Sequence, residues 1–443
     1  MNLIIRNAVT LTGALVDVRI EAGRIAELGK VALRGKQEID ARGTTMLPGL
    51  HDHHLHILAT AARRQSIDLT GLTDPAAIRA LLAAAPDSWL RAVGYDERAA
   101  GLPDAGLLDT WERERPLRVL DRTGALWALN SAALAQLRDV PLPDGAERDA
   151  SGRLTGRFWR EDQWLGRALP RSLPDLARLG MEFAALGLTG LTDAGAHNGP
   201  DEARILSGAM PQRLTLMGSE ALEVGDGYTL GPLKLLIDER DPPALDLLAA
   251  RIRWARERKR AVAAHCVTDV ELALYLAALD LAGGPERGDR IEHGGMIAPE
   301  AIPAIVEAGL VVVSNPSFIH DRGDRYLAEV PTDRLGDLYR LCSLIAAGVP
   351  VKAGSDAPYA NPDPWLGVRS ARDRMTQAGH PIAKSEVISA REALQLYFGG
   401  QIAPGEPADL VLCSGMPSDV LEDPDTGRVR MTLVHGAVVF DSH

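Results

Sequence analysis

The chain has 443 residues, of which 46% are hydrophobic and 24% charged, an ordinary balance for a folded globular protein that excludes extensive disorder. A net charge of -12 with no dense run of Lys and Arg excludes nucleic acid as a partner. No run approaches the roughly 20 apolar residues of a spanning helix, and Met1 to Arg6 leads into no apolar stretch behind a basic one, so a cytoplasmic protein with no membrane partner is expected.

In chain order, the N-terminal segment LIIRNAVTLTGALVDVRIEAGRIAEL reads as short β-strands broken by Gly13 and by a turn at Ala22-Gly23. The C-terminal runs ADLVLCSG and RVRMTLVHGAVVFD have the same character. Residues 1–47 and 397–443 are therefore expected to form one small composite β-domain, a β-sandwich built by both chain ends. Between them, residues 48–396 alternate apolar β-rich runs with helical stretches, the pattern of parallel strands joined by crossover helices. The strand candidates MLPGLHDHHLH, LTGLTDAG, RLTLMGSE, GPLKLLID, AVAAHC, RIEHGG, LVVVSNP and VPVKAGSD number eight, which closes a (β/α)8 TIM-type barrel. The first and second are too far apart for one crossover, so an α+β insert is expected at about residues 70–180, with the strand-like runs WLRAVGYDE and PLRVLDRTG. Cys266, Cys342 and Cys413 are widely spaced and odd in number, which suggests neither a disulfide framework nor a thiolate zinc site.

In GLHDHHLH, strand alternation sends Asp52, His54 and His56 to one face and His51, His53 and Leu55 to the other. Imidazole is the commonest neutral metal ligand, and two of them on one rigid strand lose little entropy on chelation. A surface histidine cluster or a pair stacked in the core would give the same segment. Further along, Lys234 lies inside GPLKLLID, His265 ends AVAAHC, His293 ends RIEH and Asp356 ends VKAGSD. Barrel enzymes place their active sites at the C-terminal ends of the strands, and an apolar run has no other reason to bury a titratable group. His54, His56, His265 and Asp356 are the expected core of a metal site, with Asp52 in support.

Pro48-Gly49-Leu50-His51-Asp52-His53-His54-Leu55-His56 resembles the Pro-Gly-x-x-Asp-x-His-x-His pattern on strand one of the amidohydrolase superfamily. GSDAP at Gly354 to Pro358 and PGEPADLVL at Pro404 to Leu412 extend the resemblance over nearly the whole chain. GYDE at Gly94 to Glu97 and LNSAAL at Leu129 to Leu134 make it similar to the amidohydrolase-3 branch. Two departures stand out. Ala125 in TGALW replaces a histidine that members of that branch often carry, and HCVTDVEL replaces their His-Ala-Ile-Gly-Asp run while keeping His265.

The resemblance implies a metal-dependent hydrolase acting on an amide-type C–N bond of a small molecule. His54, His56 and Asp356 would hold one divalent ion, zinc first, while His265 and His293 hold a second or complete the first. Lys234 would be a carboxylated lysine bridging two metals. His293 and Asp356 are the expected catalytic residues, Asp356 taking the proton of a metal-activated water and passing it to the departing nitrogen. Ester, lactone or carbamate hydrolysis and ring deamination would use the same water. Thr268 stands where many deaminases of the superfamily carry Glu, which weighs against deamination. A non-catalytic scaffold is a further alternative, against which the retained ligand set argues. Substrate-facing candidates are Tyr95 and Asp96 in the insert and His320, Arg322 and Arg325 in an expected loop after strand seven, where an arginine would clamp a carboxylate. A homodimer or higher homo-oligomer is expected.

Overall fold

A computed structural model describes residues 2–32, 37–170 and 174–442; positions 33–36 of the N-terminal segment and 171–173 of the insert lie outside the described residues. The chain divides into two compact units, Met1–Ile57 with Leu176–His443, and Leu58–Asp175.

In the first unit, eight parallel strands follow one another around a barrel in chain order: Leu50–Leu55, Leu188–Asp193, Arg213–Gly218, Thr229–Leu235, Val262–Cys266, Arg290–His293, Val311–Ser314 and Val351–Ala353. Parallel strands are covered on both faces, which is why most of these runs are apolar with little alternation; Leu188–Asp193 is buried at every position. The ring is joined just past its last strand. Asp356 N donates to His54 O (2.7 Å), and His56 N donates to Ala357 O (2.8 Å). Gly354 permits this approach, because a Cβ there would lie 2.5 Å from His54 N and 2.6 Å from His54 Cβ.

The expected first strand MLPGLHDHHLH is two strands. Thr45–Pro48 pairs antiparallel with Leu410–Cys413, whereas Leu50–Leu55 enters the barrel beside Leu188–Asp193. Gly49 separates them where a Cβ would meet Thr189 Oγ1 at 2.1 Å. The strands of both chain ends share one hydrogen-bonded sheet of eight, ordered Ala437–Asp441, Val429–Val434, Leu410–Cys413, Thr45–Pro48, Asn2–Thr10, Leu15–Glu21, Arg24–Gly29, with Gln37–Asp40 also on Asn2–Thr10. Ile5, Val18, Ile20, Met46, Leu410, Leu412 and Leu433 meet in its core.

The second unit, Leu58–Asp175, carries a six-stranded sheet in which Leu90–Tyr95 and Leu117–Asp121 pair in parallel. Leu90, Ala92, Leu117, Val119 and Ala128 pack there with Ile78, Leu82 and Leu108.

One expected loop is a helix. SFIHDRGDRYLAE spans Ser317–Glu329 as an α-helix after the seventh strand. Its charges and central glycine obscure the pattern in sequence, yet Phe318, Ile319 and Gly323 are buried, and a Cβ at Gly323 would lie 2.5 Å from Thr376 Cγ2. No helix among the described residues is long and apolar enough to cross a membrane.

Gly354→Ala tests the barrel closure. The added methyl meets backbone, which cannot swing aside, so a loss of about 1–3 kcal/mol in urea unfolding is expected, together with weaker metal binding. An unchanged midpoint would show that the two strands do not need this close approach.

Candidate metal centre

On Leu50–Leu55, Asp52 and His54 are each 1% exposed. His51 and His53 stack on each other with ring centroids 4.3 Å apart, and His51 Nε2 bonds Thr192 Oγ1 at 2.8 Å. Asp52 fastens the first strand to the end of the eighth: its Oδ1 accepts from His54 N (3.1 Å) and Ser355 N (3.0 Å), and its Oδ2 from Ser355 Oγ (2.5 Å). Burial pushes the Asp52 carboxyl up to about 6, against the pull of these hydrogen bonds.

His54 Nε2 and His56 Nε2 lie 3.4 and 3.2 Å from Asp356 Oδ1. One donor atom from each of these three residues lies within 4.8 Å of the others. His54 Nδ1 donates to Glu292 Oε2, so a neutral His54 ring keeps its proton on Nδ1 and turns its Nε2 lone pair to the Asp356 carboxylate. Burial and Lys234 favour that neutral ring, but with no cation bound Glu292 and Asp356 outweigh them, raise the ring's pKa and favour a second proton on Nε2. A lone pair and a carboxylate oxygen repel unless a proton or cation stands between them. Imidazole nitrogen with carboxylate oxygen is a donor set that suits zinc and neighbouring divalent ions, and a carboxylate behind a ligating imidazole is a recurrent arrangement in such sites. The residues present therefore fit a divalent cation.

His293 and Asp356 both hold left-handed backbone conformations, with φ of 71° and 58°, which non-glycine residues adopt only when their surroundings impose it. His293 Nδ1 bonds Asn315 Oδ1 (2.8 Å), while Asn315 Nδ2 donates to Gly354 O (2.9 Å). Asn315 thus accepts from His293, which leaves the lone pair of His293 on Nε2. The His293 ring lies 4.6 Å from that of His54 and 4.5 Å from that of His265, centroid to centroid. His265 stands beside this group rather than among the three converging donor atoms. Lys234 is 2% exposed, and its Nζ has no hydrogen-bond partner among the described residues. Asp238, four residues further along the chain, pairs with Arg240 (3.0 Å).

The electrostatics follow from burial and these neighbours. Burial and the Lys234 cation pull His265 down to about 4, and burial with the charge of His54 holds His293 well below the usual imidazole range. Burial lowers Lys234, against the attraction of Glu292. For Asp356, burial works upward, but the hydrogen bonds of His54 and His56 hold the carboxyl well below its ordinary range. Glu292 behaves likewise, with Arg290, Lys234 and His54 outweighing burial; Arg290 Nε donates to Glu292 Oε1 at 2.7 Å.

The substrate-facing candidates have varied surroundings. His320 pairs with Asp321 (2.9 Å) and Arg325 with Glu329 (2.7 Å). Tyr95 donates its hydroxyl to Gly101 O (2.8 Å), and Asp96 accepts from Arg98 (2.5 Å), both within the insert. Arg322 Nη2 donates to Tyr359 O (3.0 Å), and the Tyr359 ring meets His56 edge-on at 5.7 Å, so Arg322 buttresses the wall beside a candidate ligand. Thr268 caps the helix Asp269–Leu281 in a reciprocal box with Glu271.

Sequence reasoning missed Glu292 and Asn315. Glu292 is a fully buried carboxylate one residue before His293 in the strand Arg290–His293, and its burial is the signal that would have singled it out. Asn315 gave none, being neutral and just past a strand end.

A parallel eight-stranded barrel with imidazoles and a carboxylate converging at the C-terminal ends of its strands defines a metal-dependent hydrolase. The chain belongs to the amidohydrolase family, whose family model, Amidohydro_3, matches residues 37–440. It is 26% identical to the putative amidohydrolase YtcJ of Bacillus subtilis (strain 168) over 91% of this chain and 90% of that protein. It is 24% identical to the N-substituted formamide deformylase of Arthrobacter pascens, over 93% and 92% of the two chains. In fold it is similar to an uncharacterized metal-dependent hydrolase from Pyrococcus horikoshii OT3, with a TM-score of 0.80 and 18% identity over 97% of this chain and 100% of that one.

Glu292→Gln should weaken metal binding about 10–100-fold, read by competition with a chromogenic chelator, because it removes the charge that fixes His54. Affinity equal to the parent's would make Glu292 a bystander.

Proposed function

We propose that the chain hydrolyses an amide-type C–N bond of a small molecule, using a divalent ion, zinc first, held by His54, His56 and Asp356. The observation that carries this reading is the convergence of donor atoms from these residues within 4.8 Å, with His54 fixed from behind by Glu292. The deformylase relative, named for N-substituted formamides, supports the choice of bond.

Bound there, the ion supplies Lewis-acid polarisation of the scissile carbonyl and acidification of a water. Asp356 does the proton work. Its Oδ1 faces the two imidazoles, so its second oxygen accepts the proton of the attacking water and returns it to the departing nitrogen as the C–N bond breaks, base first and acid second. His293, its ring fixed by Asn315, and His265 supply nitrogen donors for a second ion or complete the first. Lys234 joins them in carboxylated form: its neutral amine adds to carbon dioxide, loses a proton and becomes a carbamate, an anionic oxygen donor in place of a buried cation. Its burial and unpartnered Nζ support this.

Two measurements test the reading against a panel of N-acyl amino acids, N-substituted formamides and cyclic amides. Chelation should abolish turnover, and zinc, manganese or cobalt should restore it; full activity in metal-free protein would refute the reading. Asp356→Asn should lower kcat by about 10² or more with an unchanged circular dichroism spectrum, and parental turnover in that variant would remove Asp356 from the proton path.

A further inference from the structure

The insert holds a second cluster of charge that hydrolysis at the metal centre does not use. Strands Leu90–Tyr95 and Leu117–Asp121 set Arg91 directly opposite Arg118. Alternation along both strands puts the two arginines on the face opposite Leu90, Ala92, Leu117 and Val119. Like charges directly opposite on neighbouring strands destabilise a sheet. Arg118 makes no side-chain hydrogen bond among the described residues; its guanidinium lies 5.4 and 5.1 Å from the ring centroids of Trp89 and Trp127. Arg91 lies 5.0 Å from the Trp127 centroid, and its Nη1 donates to Ala62 O (3.1 Å) and to Ser66 Oγ. The Nε of each arginine is buried without a partner among the described residues.

Nearby charges do not resolve the conflict. Arg63 adds to the repulsion on Arg91, and Asp162 is the carboxylate whose charge acts on both arginines. Asp162 Oδ1 accepts from Trp127 Nε1 (2.5 Å), and no ion pair joins Asp162 to either arginine among the described residues. Burial and the charge of Arg118 pull Arg91 down to about 10. An indole face attracts a guanidinium but takes none of the N–H donors, which lie in the guanidinium plane. A buried donor left unmade is costly, and an unexplained one in a native fold points to a missing acceptor.

We propose that Arg91 and Arg118 bind a small-molecule oxyanion, a carboxylate or phosphoryl group, whose oxygens accept from the two guanidinium forks while Trp89 and Trp127 hold the forks in place.

The test is thermal unfolding of the metal-loaded protein, parent and Arg118→Gln, with inorganic phosphate and separately with succinate, at ionic strength matched by chloride. One of the anions should raise the Tm of the parent saturably, by a few degrees, and at least half of that rise should vanish in the variant. An effect of phosphate alone assigns a phosphoryl group, and an effect of succinate alone a carboxylate. Binding at the metal centre acts on both proteins alike and drops out of the difference. Without added anion, the variant should be at least as stable as the parent, since one of two repelling cations is gone. If Arg118→Gln fails to fold, Arg118→Lys keeps the charge and loses the fork, and the same comparison applies. Equal responses of parent and variant to both anions, or no response in the parent, would overturn the proposal and leave water as the acceptor.

Discussion

Two backbone hydrogen bonds, from Asp356 N to His54 O and from His56 N to Ala357 O, hold the end of the eighth barrel strand against the first. The residues that close the barrel are also those whose side chains converge as candidate ligands, so closure and site are one geometry. Burial of the apolar strands brings the backbones together, Gly354 lets them approach, and Asp52 locks the junction through Ser355. His54 sits within the first strand, and His56 and Asp356 just past strand ends that these bonds hold together, so little conformational entropy remains to be lost when a cation binds.

Charge explains the next layer. Arg290 and Lys234 offset Glu292 and Asp356 in a region where an uncompensated charge would be expensive. Adding a divalent cation to that balanced set leaves two positive charges in excess. Converting Lys234 from ammonium to carbamate removes those two, so the proposed modification and the proposed metal answer the same electrostatic demand. The Glu292–His54 bond serves both ends of the account, compensating Arg290 and presenting His54 Nε2 to the ion.

The barrel was legible because parallel strands buried on both faces leave uninterrupted apolar runs, and because polar residues at the ends of such runs have no structural reason to be there. His54, His56 and Asp356 were readable on that basis. The split of MLPGLHDHHLH at Gly49 was not, since only the approach of Thr189 shows why the chain must pivot there. The helix Ser317–Glu329 is hidden in the sequence because its charges and Gly323 mask the buried stripe. The partners of Glu292, Asn315 and the Arg91–Arg118 pair are distant in sequence or on neighbouring strands, and cross-strand register cannot be read from one strand at a time.

Anomalous diffraction at the zinc edge, from crystals of zinc-loaded protein, tests the central claim most directly. A peak is expected about 2.0–2.2 Å from His54 Nε2, His56 Nε2 and an Asp356 carboxylate oxygen. A fully loaded crystal with its zinc bound elsewhere, and these three side chains bonded only to one another, would contradict it.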